Sequence, residues 1–427
     1  MKRFLITALT AMLILLSLTG CDKNFMPTSA EITTFEIVRV LGIDKSEENP
    51  NEIEITIIAE RGEQAGAEDF GSVSHEIASA TGATAFEAVT TLRNQSDKKH
   101  AFAYVDYIIF GEAAAKDDLT KYVDFPLRNP EFRLSPNVFV ARGSTAKSLL
   151  NNTSSEDVLV NDSLDNLSTS INLRSDVKRV RLIELINMLN RDNKAAVLPA
   201  LAGQASEDDQ LLGGELPKKR LHTAGYAVIR DFKLAGYFDE DSARGYNYLT
   251  NLLRTSAYSV CDGHGSYAGL DVLNAGLKVI PHFSGNRLTG VTCAVRVNAS
   301  LTEQRSLVSL HTEAGLADLS HALSRMIEAE LESAIAQSKA FGIDCFGIGD
   351  RMKLRHPYRW RHIDSRWREI YENLDIYVVA DATVRRTYTL NEPGGYSLVG
   401  TASTTSRVLN CHQTTTKHPS LRSHPLY

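Results

Sequence analysis

The hydrophobic and polar positions of this chain repeat with two different periods, and the period changes several times along its length. Between residues 52 and 60 apolar and polar side chains at first alternate, which predicts a strand with one buried face. Residues 35–44 form an earlier strand candidate, and the polar residues 45–51 between the two predict a hairpin. The next elements predicted from the pattern are, in chain order, a helix at 85–93, a strand at 104–110, a helix at 113–122, a strand at 137–142 and a helix at 180–189.

A polar stretch from Gly203 to Lys219 interrupts this pattern. It contains Gly213-Gly214 and Pro217, which are typical of a boundary between domains. After it, residues 223–229 and 233–237 predict another hairpin. A helix over 243–253 follows, with acidic residues before its first turn.

The last periodic region is dominated by one long helix, predicted over residues 316–340. Its apolar stripe consists of Leu316, Leu319, Leu323, Met326, Ile327, Leu331, Ala334 and Ile335. Strands are predicted at 270–279, 288–297 and 374–385. The order strand, strand, helix, strand predicts a sheet with the helix laid across one face.

These elements predict an α+β fold of three mixed α/β domains, the last being a β-sheet packed against one long helix. We place the N-terminal α/β domain at 21–202, a small middle domain at 215–265 and the C-terminal domain at 266–393. Residues 394–427 are a polar tail rich in Ser, Thr and His.

The first twenty residues have the layout of a secretory signal. Lys2 and Arg3 precede an apolar run of about 13 residues, which is too short for a stable membrane anchor. Leu18, Thr19 and Gly20 then lead to Cys21, a sequence that resembles a bacterial lipobox. We therefore predict a lipoprotein signal peptide at 1–20 and diacylation of Cys21, so that the body is held at a membrane by lipid. The alternatives are an ordinary signal peptide and a short core helix that precedes a cysteine.

Composition narrows the class of protein. Of 427 residues 43% are hydrophobic and 23% charged, which is typical of globular proteins, and the formal net charge is −6. No lysine or arginine block has the look of a nucleic-acid site, and no second apolar run reaches the length of a membrane span. Four cysteines remain besides Cys21, and none forms a Cys-x-x-Cys pair. Two disulfides are conceivable, but we favour free, mostly buried thiols for Cys261, Cys293, Cys345 and Cys411.

The motifs of catalysis and metal binding are incomplete in this sequence. His264-Gly265-Ser266 lacks the first glycine of a nucleophile elbow, and Ser79 stands where His75-Glu76 would need a second histidine. Gly347-Ile348-Gly349 begins a dinucleotide fingerprint, but Met352 replaces its last glycine. His356 and His362 are better explained as isolated side chains, and both tryptophans as packing residues. We predict no catalytic residue, no cofactor and no metal site.

Several short motifs, in order along the chain, resemble the C subunits of the germinant receptors of endospore-forming bacteria. The most specific is Asp344-Cys345-Phe346-Gly347-Ile348-Gly349, followed by the two tryptophans. The others are the lipobox cysteine, Val40-Leu41-Gly42-Ile43-Asp44, Ala80-Thr81-Gly82, His100, Asp124-Phe125 with Arg128, Ala224-Gly225-Tyr226-Ala227-Val228, Leu234-Ala235-Gly236-Tyr237, Trp360 and Trp367. The resemblance extends from Cys21 to about Pro393.

The resemblance implies a lipoprotein on the outer, extracytoplasmic face of the spore inner membrane or cell membrane, without catalytic activity. It implies two integral-membrane partners: an A subunit, and a B subunit similar to amino-acid permeases. The complex would sense small nutrients and start germination. Asp22 departs from the tryptophan often found after the lipid cysteine in the family, and the polar end after Pro393 is unlike the family's usual ending.

Two other functions remain open. An extracytoplasmic solute-binding lipoprotein would capture a nutrient itself, but it usually needs two similar α/β lobes, and this pattern predicts three unequal units. A surface peptidase or glycosidase has no motif in its favour.

Overall fold

The computed structural model describes most of the chain between Phe35 and Arg385. The described residues are 35–62, 73–153, 163–169, 177–191, 194–205, 219–253, 255–262, 266–305, 310 and 312–385. The predicted signal peptide, Cys21, Cys411 and the polar tail lie outside these residues.

The first structural unit is built on a nine-stranded sheet in the order β3-β2-β1-β5-β6-β7-β8-β9, with β4 paired beside β1. Its strands are β1 (Phe35–Lys45), β2 (Ile53–Gly62), β3 (Val73–Gly82), β4 (Lys99–Ala101), β5 (Tyr107–Phe110), β6 (Asn137–Ala141), β7 (Ala195–Ala205), β8 (Lys219–Arg230) and β9 (Lys233–Phe238). Strands β1, β5, β6 and β7 are parallel, and the outer strands on both sides are antiparallel.

The parallel centre of this sheet is buried on both faces. All four residues of β5 are buried, and so are four of the five in β6. A strand covered on both faces has no polar side to alternate with, so its sequence is a continuous apolar run. This explains why β7 escaped prediction: residues 195–201 are all buried, and the run contains no alternation.

Helices cover both faces of the first sheet. They are α1 (Ala85–Gln95), α2 (Glu112–Asp117), α3 (Leu119–Arg128), α4 (Ala146–Thr153), α5 (residues 163–169) and α6 (Leu182–Leu189). The single helix predicted at 113–122 is wrong, because the chain breaks at Asp118. The Asp118 carboxylate accepts the backbone N–H of Thr120 at 3.0 Å and caps a new helix, α3. The strand predicted at 104–110 is also shorter, since residues 102–104 form a 3₁₀ turn.

The residues expected in a middle domain are shared between the two sheets. The hairpin predicted there is β8–β9, and it continues the first sheet through β7. The following helix, α7 (Glu240–Leu249), and strand β10 (Ser256–Cys261) join the second unit instead. The helix ends at Leu249, before the predicted end at Leu253, and strand β10 was not predicted. The division into three domains stays a prediction.

The second unit is a four-stranded sheet in the order β10-β11-β12-β13. Its long hairpin consists of β11 (Tyr267–Ser284) and β12 (Arg287–Gln304), both longer than the predicted strands. Gly285, with φ of 61°, opens the two-residue turn between them. Strand β13 (Asp375–Arg385) pairs in parallel with β12. The α+β fold with a final sheet and helix is therefore confirmed.

The long predicted helix is present as α8 (Glu313–Ala340), and six residues of its predicted stripe are buried against the sheet. Of the other two, Leu316 is partly buried and Met326 is 36% exposed. Three short helices follow: α9 (Ile348–Arg355), α10 (Pro357–Trp360) and α11 (Trp367–Glu372). Strand β3 was also missed, since its sequence of small and polar residues carries little strand signal.

Helix α8 also closes the free edge of β13. The hydroxyls of Ser320 and Ser324 accept the backbone N–H groups of Val384 and Ala382, both at 3.0 Å. Glu328 accepts from Ala380, also at 3.0 Å. Four residues along a helix advance about 6 Å, nearly the advance of two residues along a strand, so the two ladders match over these three rungs.

Candidate functional site

The three family-like motifs of the second half of the chain meet where the two sheets join. Phe238, at the end of β9, has its ring 5.8 Å from that of Phe341 and 6.4 Å from that of Phe346. Gly236 lies under Phe341 so closely that a Cβ there would be 2.5 Å from the ring. These contacts fix the end of α8 and the loop after it against the first sheet.

Asp344 holds that loop from within. Its carboxylate accepts the backbone N–H groups of Phe346, Ile348 and Gly349 at 3.2, 3.0 and 2.7 Å. The indole N–H of Trp367 donates to the same carboxylate at 3.3 Å. Burial raises the pKa of Asp344, and the N–H donors oppose that rise. The aspartate therefore acts as the internal template of the loop.

The two tryptophans complete this loop. Their ring centroids are 5.2 Å apart, and Gly349 packs against both. A Cβ on Gly349 would lie 2.6 Å from Nε1 of Trp367 and 2.9 Å from the Trp360 ring, so a side chain has no room here. The tryptophans pack as predicted. The glycine that resembled a dinucleotide fingerprint is required by this packing.

A buried polar network lies behind the junction. Glu330 of α8 accepts the Nε–H of Arg244 and the hydroxyl of Tyr258, both at 2.8 Å. The Tyr258 hydroxyl also lies 3.1 Å from that of Tyr248. Burial raises the pKa of Glu330 to about 7, although Arg244 and Tyr258 oppose the rise. The network ties α7, α8 and β10 together, and nothing in the sequence pairs these residues.

Asp44 plays a similar part in the first unit. It ends the early motif and lies at the C-terminal end of β1, where its carboxylate accepts the backbone N–H groups of Ala146 and Lys147 at 2.8 and 2.9 Å. Burial raises its pKa to about 6. Gly111 leaves room for this carboxylate, because a Cβ there would overlap Oδ1 of Asp44. Asp44 of the early motif therefore binds the first turn of helix α4.

A groove of about 870 Å³ lies on the outer surface of the first unit, between α1 and α3. The aromatic rings of Phe86 and Phe125 line it, with centroids 6.4 Å apart. Six of its seven charged residues form ion pairs: Arg93 with Glu131, Lys121 with Asp117, and Arg128 with Asp124. The seventh, Glu52, accepts the side-chain amide of Asn49 at 2.9 Å. This is a surface for a neutral or apolar ligand more than for a charged one.

The remaining candidates do not assemble into a catalytic or metal site. His356 packs its ring against Phe283, with centroids 5.6 Å apart, while His362 is exposed. Within the described ranges no group of three metal-ligating side chains occurs. Across the same part of the chain, no helix is both long enough and apolar enough to cross a membrane.

The described cysteines are free. Cys261, Cys293 and Cys345 form no disulfide, as predicted, but only Cys293 is fully buried. Burial raises the pKa of the Cys293 thiol to about 12, so it is unreactive at neutral pH. Cys21 lies outside the described residues, and its lipidation stays a prediction.

The fold is that of an α+β protein with two units, which pack against each other through the loop that contains the motif Asp344 to Gly349. Two family models together match most of the chain, and the second begins within β8 of the first sheet. The spore germination protein N-terminal domain matches residues 28–202, and the spore germination B3/GerAC-like C-terminal domain matches residues 224–388. The chain belongs to this family of germinant receptor C proteins.

Individual relatives agree with this assignment. Spore germination protein KC of Bacillus subtilis is 24% identical over 418 residues, covering 90% of this chain and 97% of that protein. Putative spore germination protein YfkR of the same organism is 22% identical over 391 residues, with the same coverage of both chains. The crystal structure of the GerBC protein superposes with a TM-score of 0.52 at 14% identity, covering 81% of this chain and 96% of that one. It shows a shared fold.

Proposed function

We propose that the chain is the lipid-anchored C subunit of a nutrient germinant receptor and that it works by binding and scaffolding, without catalysis. The observation that carries the proposal is the match of two spore germination family models to residues 28–202 and 224–388. The buried polar groups support a structural part, because Asp344, Glu330 and Asp44 are occupied in holding loops and helices.

In this proposal a diacylglycerol group on Cys21 holds the body at the extracytoplasmic face of the spore inner membrane. Its partners are the integral-membrane A and B subunits. A short tether raises the local concentration of the body near those partners and so favours assembly without new contacts. No nucleic acid, cofactor or metal takes part.

Deletion in the native spore-former tests the proposal. Spores without the chain are expected to fail to germinate with some nutrients, measured as loss of refractility and release of calcium dipicolinate. A non-nutrient trigger serves as the control and is expected to work normally. Normal germination with every nutrient, even after related receptors are deleted, would reject the proposal.

A Cys21→Ala strain tests the tether separately. We expect it to reproduce most of the deletion defect at normal protein abundance, because the body is no longer concentrated at the membrane. Full activity of an abundant, unacylated protein would contradict the role of the anchor and leave the receptor assignment standing.

The groove beside Phe86 and Phe125 favours one second candidate, direct capture of a nutrient by this chain. Calorimetric titration with a nutrient panel tests it, with Phe86→Ser as the matched variant. Saturable binding that the variant abolishes would support nutrient capture, and absence of binding would favour scaffolding.

A further inference from the structure

The segment from Arg351 to Arg368 differs in charge from the rest of the molecule. It contains seven arginine or lysine residues and one acidic residue, whereas the whole chain has a net charge of −6. The basic residues are Arg351, Lys353, Arg355, Arg359, Arg361, Arg366 and Arg368. Tryptophan, tyrosine and leucine are interleaved with them, so the segment did not stand out as a basic block in the sequence.

Residues 353–361, which we call the basic elbow, present this charge at the surface. They comprise the end of α9, all of α10 and the residues that flank α10. The side chains of Lys353, Arg355, Arg359 and Arg361 are exposed. Among the described residues no carboxylate forms an ion pair with the three arginines. Their charge is therefore available to a partner.

Two apolar side chains project from the same elbow. Leu354 is 81% exposed and Tyr358 is 79% exposed, the highest values for large apolar side chains in the part of the chain that the structure describes. The guanidinium of Arg361 lies 5.8 Å from the Tyr358 ring. Exposed leucine and tyrosine beside several cations form the pattern that binds the interface of an anionic bilayer.

The elbow is held rigidly in this position. The Arg359 guanidinium lies 4.3 Å over the ring of Phe283 at the tip of the long hairpin, and the ring of His356 packs on the same Phe283. Residues on both sides of the elbow bind the first unit: Asp350 pairs with Arg191 at 3.4 Å, and Arg368 with Asp231 at 3.2 Å.

These contacts place the elbow at the end of the first sheet where β1 begins. Asp231 lies in the β8–β9 turn, next to the pairing of Arg230 with Ala195, the first residue of β7. Because β7 and β1 are parallel strands of one sheet, this turn lies at the same end of the sheet as Phe35. The chain from Cys21 therefore enters the fold at the end to which the elbow is attached.

Residues 22–34 are numerous enough to let an anchor on Cys21 and the elbow reach one membrane. Thirteen residues separate Cys21 from Phe35, and at full extension they span about 45 Å. The lateral distance from β1 to β8 is four strand spacings, about 19 Å. An anchor on Cys21 thus permits the elbow to reach the same membrane.

We propose that the basic elbow, residues 353–361, docks on an anionic lipid surface, with Leu354 and Tyr358 entering the interface and the surrounding cations binding headgroups. The proposal rests on the proposed tether at Cys21. It adds a second contact to the lipid anchor and so orients the body on the membrane.

Vesicle sedimentation tests the proposal with the chain from residue 22 onward, without an acyl group, which contains the whole described fold. The vesicles are phosphatidylglycerol and phosphatidylcholine in equal parts, compared with phosphatidylcholine alone. We expect binding to the anionic vesicles that weakens with salt, and little binding to the neutral ones. Equal binding to both, or to neither, would overturn the proposal.

A charge-matched pair of variants locates the contact. Arg355→Gln with Arg361→Gln is expected to weaken binding about 25-fold, about fivefold for each charge. Lys116→Gln with Lys121→Gln removes two exposed, ion-paired charges outside the elbow and is expected to leave binding unchanged. Equal effects of the two pairs would contradict a specific elbow contact.

A separate pair of variants tests the contribution of the apolar side chains Leu354 and Tyr358. Leu354→Ser with Tyr358→Ser is expected to weaken binding at high salt more than at low salt, because the charges remain. Tyr358→Trp is expected to show a blue-shifted emission on anionic vesicles. An emission unchanged by vesicles would contradict insertion of this side chain.

These tests separate the two proposals. If vesicles do not bind while Arg355→Gln with Arg361→Gln still impairs germination, the elbow binds an acidic protein surface and the lipid proposal is wrong. If deletion of the chain leaves germination intact, the receptor assignment fails and the vesicle result still stands.

Discussion

The two sheets of this protein are stabilised in different ways. The first has a parallel centre with apolar residues on both faces and helices on each side, so hydrophobic burial dominates its stability. The second is a mainly antiparallel sheet with one face open to solvent, as the alternating exposure of β13 shows. Its closure depends on buried polar contacts from α8, α7 and the loop after α8. We therefore expect the second unit to be more sensitive to single polar substitutions than the first.

We expect the largest effect from removing the buried carboxylate of Asp344. Asp344→Ala leaves three backbone N–H groups and an indole N–H without their acceptor, so we expect a loss of about 4 kcal/mol in unfolding free energy. Asp44→Ala in the first unit removes only two such bonds, and we expect about half that loss. Urea unfolding measures both. An equal loss for both variants would break the comparison.

Glu330 gives the second unit a dependence on pH. Its pKa is about 7 in the folded protein against 4.5 ordinarily, so the folded state holds a proton that the unfolded state has released between these values. Stability therefore falls as pH rises from 4.5 to 7, by about 3 kcal/mol, and is level above 7. Glu330→Gln is expected to flatten that part of the profile. An unchanged slope in the variant would exclude Glu330 as its cause.

The packing of Gly349 between the tryptophans predicts a smaller effect. Gly349→Ala forces a methyl group within 3 Å of both rings, and we expect a loss of about 2 kcal/mol. Gly276→Ala in β11 is the control, since a Cβ there meets nothing within 4 Å. Thermal unfolding with tryptophan fluorescence measures both. A tolerated methyl group at Gly349 would mean that the loop adjusts freely.

The edge contacts of α8 predict the smallest effect. Replacing Ser320 and Ser324 together by alanine removes two acceptors from the edge of β13, and we expect a loss of about 1–2 kcal/mol. Ser333→Ala on the same helix controls for the change in helix propensity. Hydrogen exchange at Ala382 and Val384 measures the effect directly, and unchanged protection there would contradict the contact.

The sequence predicted elements with a clear period better than elements without one. The beginning of β1 and the first half of β2 alternate, and α8 carries a long apolar stripe, so all three were predicted close to their actual ends. Strand β7 was missed because both of its faces are buried. Strand β3 was missed because its small and polar residues carry little signal of their own.

The junction could be anticipated only in part. The motif from Asp344 to Gly349 was recognisable as a unit, yet its physical reason, a carboxylate that organises four donors, depends on Trp367, which lies 23 residues away from Asp344. Arg244 and Glu330 are 86 residues apart in the sequence. The hydrophobic pattern of a sequence does not predict a contact between residues so far apart. The basic elbow was overlooked because aromatic residues interrupt its charges.

The three rungs between α8 and β13 have a further consequence. An uncovered strand edge is a template on which a second molecule can add its own strand. Proteins anchored in a membrane share two dimensions, so neighbouring copies collide far more often than they would in free solution. Side chains of α8 accept the N–H groups of Ala380, Ala382 and Val384. The helix therefore takes the place that a fifth strand would occupy. In the proposed membrane-tethered state, this cover prevents strand addition between neighbouring copies at the β13 edge.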